Sequence, residues 1–180
     1  CLVTESLNDE YTLEMNYPVN GANFSKIKVN RIIYCKPNPY SVAQPFRINS
    51  ITRPIGGVAT INAVHISYDL NNYLVISLAK GTLQTVLGEL QNGSIVECPF
   101  KFYTDITSTV KSYQTTAPAN MRAILMGSDE SLIGTYKCEV LFDKFDVHLL
   151  AQRGSDNGVE IRYGKNMTDL SHVSNYDTLY

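Results

Sequence analysis

Tryptophan is absent from this 180-residue sequence, and histidine and cysteine are scarce at three and four. No apolar run approaches the ~20 residues needed to cross a bilayer, so no transmembrane segment is expected. The cysteines (Cys1, Cys35, Cys98 and Cys138) are widely spaced and include no C-x-x-C pair. They read as reduced thiols packed as small apolar groups. Charge of one sign is also missing, with 15 basic against 17 acidic residues and an isoelectric point near 5.9. The longest basic cluster is Lys26, Lys28 and Arg31. A phosphate-neutralising stripe is not evident, and no nucleic-acid partner is expected. No basic-then-apolar leader follows Cys1, and the sequence stops in a strand-like stretch, Asn175 to Tyr180. It therefore reads as a piece of a longer protein. The N-x-S/T triplets at Asn23, Asn92 and Asn166 have meaning only on a eukaryotic secretory route.

What is present is an ordinary globular composition, 44% hydrophobic and 18% charged, enough for one domain or two small ones. Tyr11, Leu13, Met15 and Tyr17 alternate with polar residues, which predicts a half-buried strand ended by Pro18 and a turn at Asn20-Gly21. Ile27 and Val29 resume the alternation into Arg31–Tyr34, followed by a proline-rich loop, Lys36–Tyr40. Gln44–Arg53 and Val58–Ser67 flank Pro54-Ile55-Gly56-Gly57, a hairpin pattern. Strands at this spacing suggest a small barrel or sandwich.

After Leu78 the period changes. Leu83, Val86, Leu87 and Leu90 form a helical stripe, with Thr82 as N-cap and Asn92-Gly93 as stop. A second helix is predicted over Pro118–Met126, burying Met121, Ile124 and Leu125 ahead of Gly127. Period two returns with Tyr136, Cys138, Val140 and Phe142, then Phe145, Val147 and Leu149 across a turn at Asp143-Lys144. A further tip at Ser155–Gly158 leads to Val159, Ile161 and Tyr163. Helices between two β regions imply an α+β, mainly β fold. We expect a small β-barrel over residues 1–76, rejoined by 170–180, with an inserted α+β subdomain over 77–169.

No catalytic constellation emerges. His65 and Asp69 have the H-x-x-x-D spacing of some zinc peptidases, but no second histidine pair accompanies them. On one strand they would stand ~13 Å apart at ~3.3 Å per residue. Cys138 and His148 could form a nucleophilic pair, yet Cys138 lies on the apolar side of its strand, where burial makes a thiol inert. His172 is isolated. Gly158–Asn166 has one residue too many for a phosphate loop, and Asn166 stands where Ser or Thr should hold magnesium. Asp9-Glu10 and Asp129-Glu130 read as solvated turns, not a glycosidase pair. The 12 tyrosines fall mostly on strand faces, which argues for packing over sugar stacking. Catalytic, cofactor-binding and metal-binding residues are accordingly expected to be none. Gly164 permits a sharp turn, with Lys165 and Asn166 at an exposed corner.

Glu139-Val-Leu-Phe-Asp143-Lys-Phe145, the Arg153-Gly154 pair and Ile161-Arg-Tyr-Gly-Lys-Asn166 follow one another in an order that resembles phage tail-associated proteins of the prophage endopeptidase tail family. Lys144 replaces the family's usual Asn, and Met167 its usual Leu. Leu7–Pro18 resembles the family's L-N-G-E-Y-x-L strand, and Gln44–Arg47, His65–Leu70 and Pro99-Phe100 are similar to it as well. The resemblance implies a virion structural protein like the baseplate hub of contractile tails, located at the tail tip and assembled in the bacterial host cytoplasm. Its β-barrels would form a homotrimer below the distal tail protein, with tape-measure or fibre components as further partners. Hydrolase or fibre modules would follow downstream. None of their active-site motifs matches a position here, so the stretch is not expected to be an enzyme and needs no cofactor. The rival readings are a peptidoglycan-cleaving endopeptidase and a cell-wall carbohydrate-binding module.

Overall fold

The computed structural model describes residues 1–52, 56–107, 113–115, 117–155, 158, 160, 162, 163 and 165. The expected strand Ile161, the corner at Gly164 and Asn166, and the return of residues 170–180 to the barrel lie outside them.

Strands β1 (Leu2–Glu5), β2 (Tyr11–Pro18), β3 (Ile32–Cys35), β4 (Gln44–Ile51) and β5 (Val58–His65) form one antiparallel sheet in the order β1-β2-β5-β4-β3. The sheet curls into a half-barrel with β1 and β3 at its two edges. The alternation read in β2 is real: Tyr11 and Leu13 are buried while Glu14 and Asn16 are exposed. β4 and β5 pair as the predicted hairpin, with a register shift between Ile48 and Ser50. Gly56 and Gly57 close it with φ of 70° and 80°, a region costly for residues with a Cβ.

Two local expectations need correction. Ile27 and Val29 are not in a strand. Phe24–Lys26 forms a 3-10 turn, and Asn30 turns the chain with φ 70° before β3 begins. Ser67 does not extend β5, because Ile66–Asn72 winds into a 3-10 helix whose Ile66 and Leu70 enter the core.

β6 (Leu74–Val75), β7 (Leu78–Gly81), α1 (Leu83–Asn92), β8 (Lys101–Thr104), β9 (Tyr113–Thr115), β10 (Ala119–Asn120), α2 (Met121–Met126) and α3 (Leu132–Tyr136) follow, then β11 (Glu139–Asp143) and β12 (Asp146–Leu150). α1 carries the predicted stripe, with Leu83, Val86, Leu87 and Leu90 buried and the Thr82 side chain accepting from the Thr85 N–H. A Cβ at Gly93 would lie 2.7 Å from the Glu89 carbonyl oxygen, so glycine is needed where the helix stops. α2 is shorter than predicted. Its cap is Asn120, which accepts from the Ala123 N–H, and the preceding residues pair with β6 instead.

Tyr136 and Cys138 are also reassigned. Tyr136 ends α3, Lys137 reverses the chain with φ 54°, and β11 begins at Glu139. All four alternating residues are nonetheless buried. The β11–β12 turn is Lys144-Phe145, one residue later than expected. β12 also pairs with β8 in parallel, through a crossover longer than 40 residues as such pairing requires.

The inner face of the half-barrel (Leu13, Phe46, Ile48, Ile61) meets the 3-10 helix, the three α-helices and the β11–β12 hairpin in one contiguous core. Each fully buried Leu, Ile or Phe contributes roughly 1.5–3 kcal/mol of transfer free energy. The seam between the curled sheet and the β11–β12 hairpin holds two buried polar residues, Gln44 and His65.

Candidate functional site

At that seam β5 ends in His65, whose side chain is 0% exposed. Its ring stacks on Tyr11 at 4.5 Å and meets Phe46 edge-on at 5.6 Å and Phe142 at 5.9 Å. Nδ1 accepts from the Ser67 N–H at 3.2 Å, which places the proton on Nε2. Nε2–H then donates to Gln44 Oε1 at 3.2 Å. The same oxygen accepts from the Lys144 N–H at 2.7 Å, and Gln44 Nε2 donates to Asp143 Oδ1 at 2.9 Å. Gln44 thus bolts β4 to the turn of the β11–β12 hairpin. Burial pushes the His65 pKa down to about 3, helped by the Arg122 guanidinium and opposed by the Asp143 carboxylate. The imidazole is neutral, and both its nitrogens are engaged.

Asp69 diverges from His65. It lies on the 3-10 helix and pairs with Arg47 of β4 through Nε at 2.9 Å and Nη2 at 2.5 Å. Arg47 Nη1 donates to the Asn30 carbonyl at 3.0 Å, which fixes the turn before β3. The H-x-x-x-D spacing therefore serves two separate structural ties. Among the described residues no three His, Cys, Asp or Glu side chains converge as a metal site.

Cys138 and His148 are not brought together. Cys138 is buried with its Sγ facing the Leu132 carbonyl oxygen at 4.0 Å, and burial pushes its thiol pKa up to about 11. His148 stacks on Tyr103 of β8 at 4.9 Å. Sequence reasoning missed Asn8, whose φ of 57° aims its amide at β11. Oδ1 accepts from the Val140 N–H at 2.7 Å and Nδ2 donates to the Cys138 carbonyl at 3.0 Å. The side chain imitates a strand neighbour. The Leu7-Asn8-Asp9 turn composition was the available signal. Arg122 was missed as well. From α2 it lies 3.8 Å over the Tyr68 ring and donates to the Asp9 carbonyl at 3.2 Å.

Beside the seam a cavity of about 290 Å3 opens between Gln44, the loop carrying Asn38 and Ser41, and the β11 residues Leu141–Asp143. Its charged groups are spoken for: Glu5 pairs with Arg153 at 2.7 Å, and Asp143 accepts from Gln44. Burial raises the Tyr11 pKa, with Glu5 and Asp143 adding to the effect, so the phenol stays protonated. The cavity offers hydrogen-bonding walls but no activated nucleophile with a base beside it. Asp9-Glu10 and Asp129-Glu130 are exposed turns, and Lys165 is an exposed turn residue whose N–H bonds the Arg162 carbonyl. Tyr11 and Tyr136 are buried, whereas Tyr34 and Tyr40 are exposed. No described helix is long and apolar enough to cross a membrane.

No protein-family model matches the chain, and no curated protein matches it. Among solved structures it is similar to prophage tail protein gp18 from Listeria monocytogenes EGD-e, with a TM-score of 0.69 and 16% identity. The match covers 92% of this chain and 49% of that one, so the chain spans about half the length of its structural neighbour. The fold is that of a prophage tail protein.

Proposed function

We propose that the chain is a structural element of a phage or prophage tail tip, corresponding to the first portion of a baseplate-hub subunit. In this reading the full protein forms a homotrimer beneath the distal tail protein. It contacts tape-measure or fibre components and carries fibre or lysin modules beyond this stretch. It acts as scaffold, not enzyme; any hydrolase activity belongs to a downstream module. The observation that carries the reading is the fold shared with a prophage tail protein over 92% of the chain. The seam supports it, because His65, Gln44 and Asp143 spend their polar groups on one another. Conserving shape under assembly forces needs such ties; turning over a substrate needs a free base or nucleophile.

Absolute mass by light scattering tests the reading, on this chain and on a version extended through the rest of the hub. Trimers of the extended form support the ring. Monomers of both at high concentration refute it, and digestion of purified cell walls by the extended protein would replace it with the endopeptidase reading.

A further inference from the structure

The charges are unevenly distributed along the chain. Between Met15 and Tyr68 lie six basic residues and no acidic one, while the remaining sequence holds nine basic residues against all seventeen acids. The first 25 residues show the reverse, with four acids and no Lys or Arg. Folding sets β1, from the acidic stretch, and β3, from the basic one, at opposite edges of one sheet, while Arg47 of the basic stretch lies on the interior β4 and is paired with Asp69. The β3 edge is bracketed by Lys28 and Lys36, both exposed. The β1 edge carries Glu5, with Glu10 and Glu14 exposed on the adjoining turn and on β2. Arg153 neutralises Glu5 and leaves the other acids of this edge in excess.

Both edges also display apolar side chains to solvent. Ile32 and Tyr34 project from β3, with Tyr34 63% exposed, and Leu2 on β1 is 65% exposed. Among the described residues each of these strands has a ladder partner on one side only. Open strand edges with exposed apolar side chains invite another strand. Each edge is four residues long. Every pairing within the sheet is antiparallel, so β1 and β3, at even separation, run in the same direction.

We propose that the β3 edge of one copy receives the β1 edge of a second copy, head to tail, as a parallel strand pair. Lysines flanking β3 repel a second β3, and the acids beside β1 repel a second β1, so only the unlike edges join. Because the two surfaces differ, the contact is heterologous and repeats until rotation closes it. The inference deepens the ring assembly proposed above, and rests on that reading for closure into a ring.

Two charge-swapped proteins test it, Lys28→Glu/Lys36→Glu and Glu10→Lys/Glu14→Lys, all at exposed positions away from the core. Light scattering and sedimentation should show each variant alone associating at least about tenfold more weakly than wild type. An equimolar mixture should regain association, because each junction between the two variants joins an acidic edge to a basic one; a ring of three retains one like-charged junction, so recovery falls short of wild type. Wild-type association should weaken as salt cuts the screening length from about 10 Å at ~0.1 M to about 3 Å at ~1 M. Oligomers that survive both swaps overturn the edge contact and leave the ring standing. Wild-type protein that stays monomeric at high concentration also overturns it, with another segment or a polyanion then the occupant of β3; heparin retention lost in Lys28→Glu/Lys36→Glu alone would identify the polyanion. Swap-sensitive association that stops at dimers or runs into open filaments keeps the contact and refutes the ring.

Discussion

Acidification should break the seam through His65. In the unfolded chain an imidazole takes up its proton near pH 6.5. In the folded chain burial and Arg122 hold that pKa down at about 3. Between these values the unfolded state binds the extra proton, so stability falls as the pH falls. Each unit below about 6.5 removes about 1.4 kcal/mol, which gives a loss of about 2.7 kcal/mol at about pH 4.5. That is a large share of the 5–15 kcal/mol typical of a domain. Carboxylates titrate in the same window, so the loss must be isolated by comparison with a protein lacking the imidazole. His65→Phe keeps an aromatic ring among Tyr11, Phe46 and Phe142 and cannot titrate. Urea denaturation of both proteins at about pH 7.5 and about pH 4.5 gives four free energies. Wild type should lose about 2–3 kcal/mol more than the variant on acidification. Equal losses would refute the reasoning, since His65 would then be solvated or already protonated in the fold.

Replacing Gln44 with Leu strands the His65 Nε2–H and the Lys144 N–H together with an Asp143 oxygen, and should cost on the order of 2–4 kcal/mol by urea denaturation. Asn8→Ala loses two bonds to β11 and the tolerance for positive φ, whereas Asn8→Gly loses only the bonds. Thermal melts should rank them wild type, then Gly, then Ala, with the full loss about 1–3 kcal/mol. Thiol titration with a disulfide reagent should label exposed Cys1 quickly and Cys138 only after urea is added, because its thiol is buried and its pKa raised to about 11.

The sequence made some elements legible and concealed others for identifiable reasons. α1 was readable because four apolar residues keep helical spacing between a Thr cap and a Gly that the Glu89 carbonyl makes obligatory. β2 was readable because one face is buried and the other wet. α3 was hidden because Tyr136 at a helix end and Cys138 before a strand fall by chance into a period of two. The kink between them depends on Lys137, a residue type not expected at positive φ. The short helices at 24–26 and 66–72 carry too few residues for periodicity to show. The seam was least visible. Gln44 and Lys144 are 100 residues apart, and neither of the family-like stretches that hold them signals their contact. His65 and Asp69 were found as residues of interest, but the backbone turn after His65 that separates them was not. Charge balance was read as a whole-chain sum, which conceals two edges of opposite sign.

The ties from Asn8 to β11 and from Gln44 to the hairpin turn span 130 and about 100 residues of chain. A ribosome adding about 5–20 residues per second needs roughly 5–25 s to supply those partners once the early strands have emerged. Until α1, α2 and finally β12 are made, Leu13, Phe46 and Ile61 face solvent without the full cover of helices and hairpin that buries them. The half-barrel is thus born with its lining outward. Expression yield should depend on translation speed through residues 83–150 and on chaperones that bind apolar β segments, more than on the stability of the finished fold.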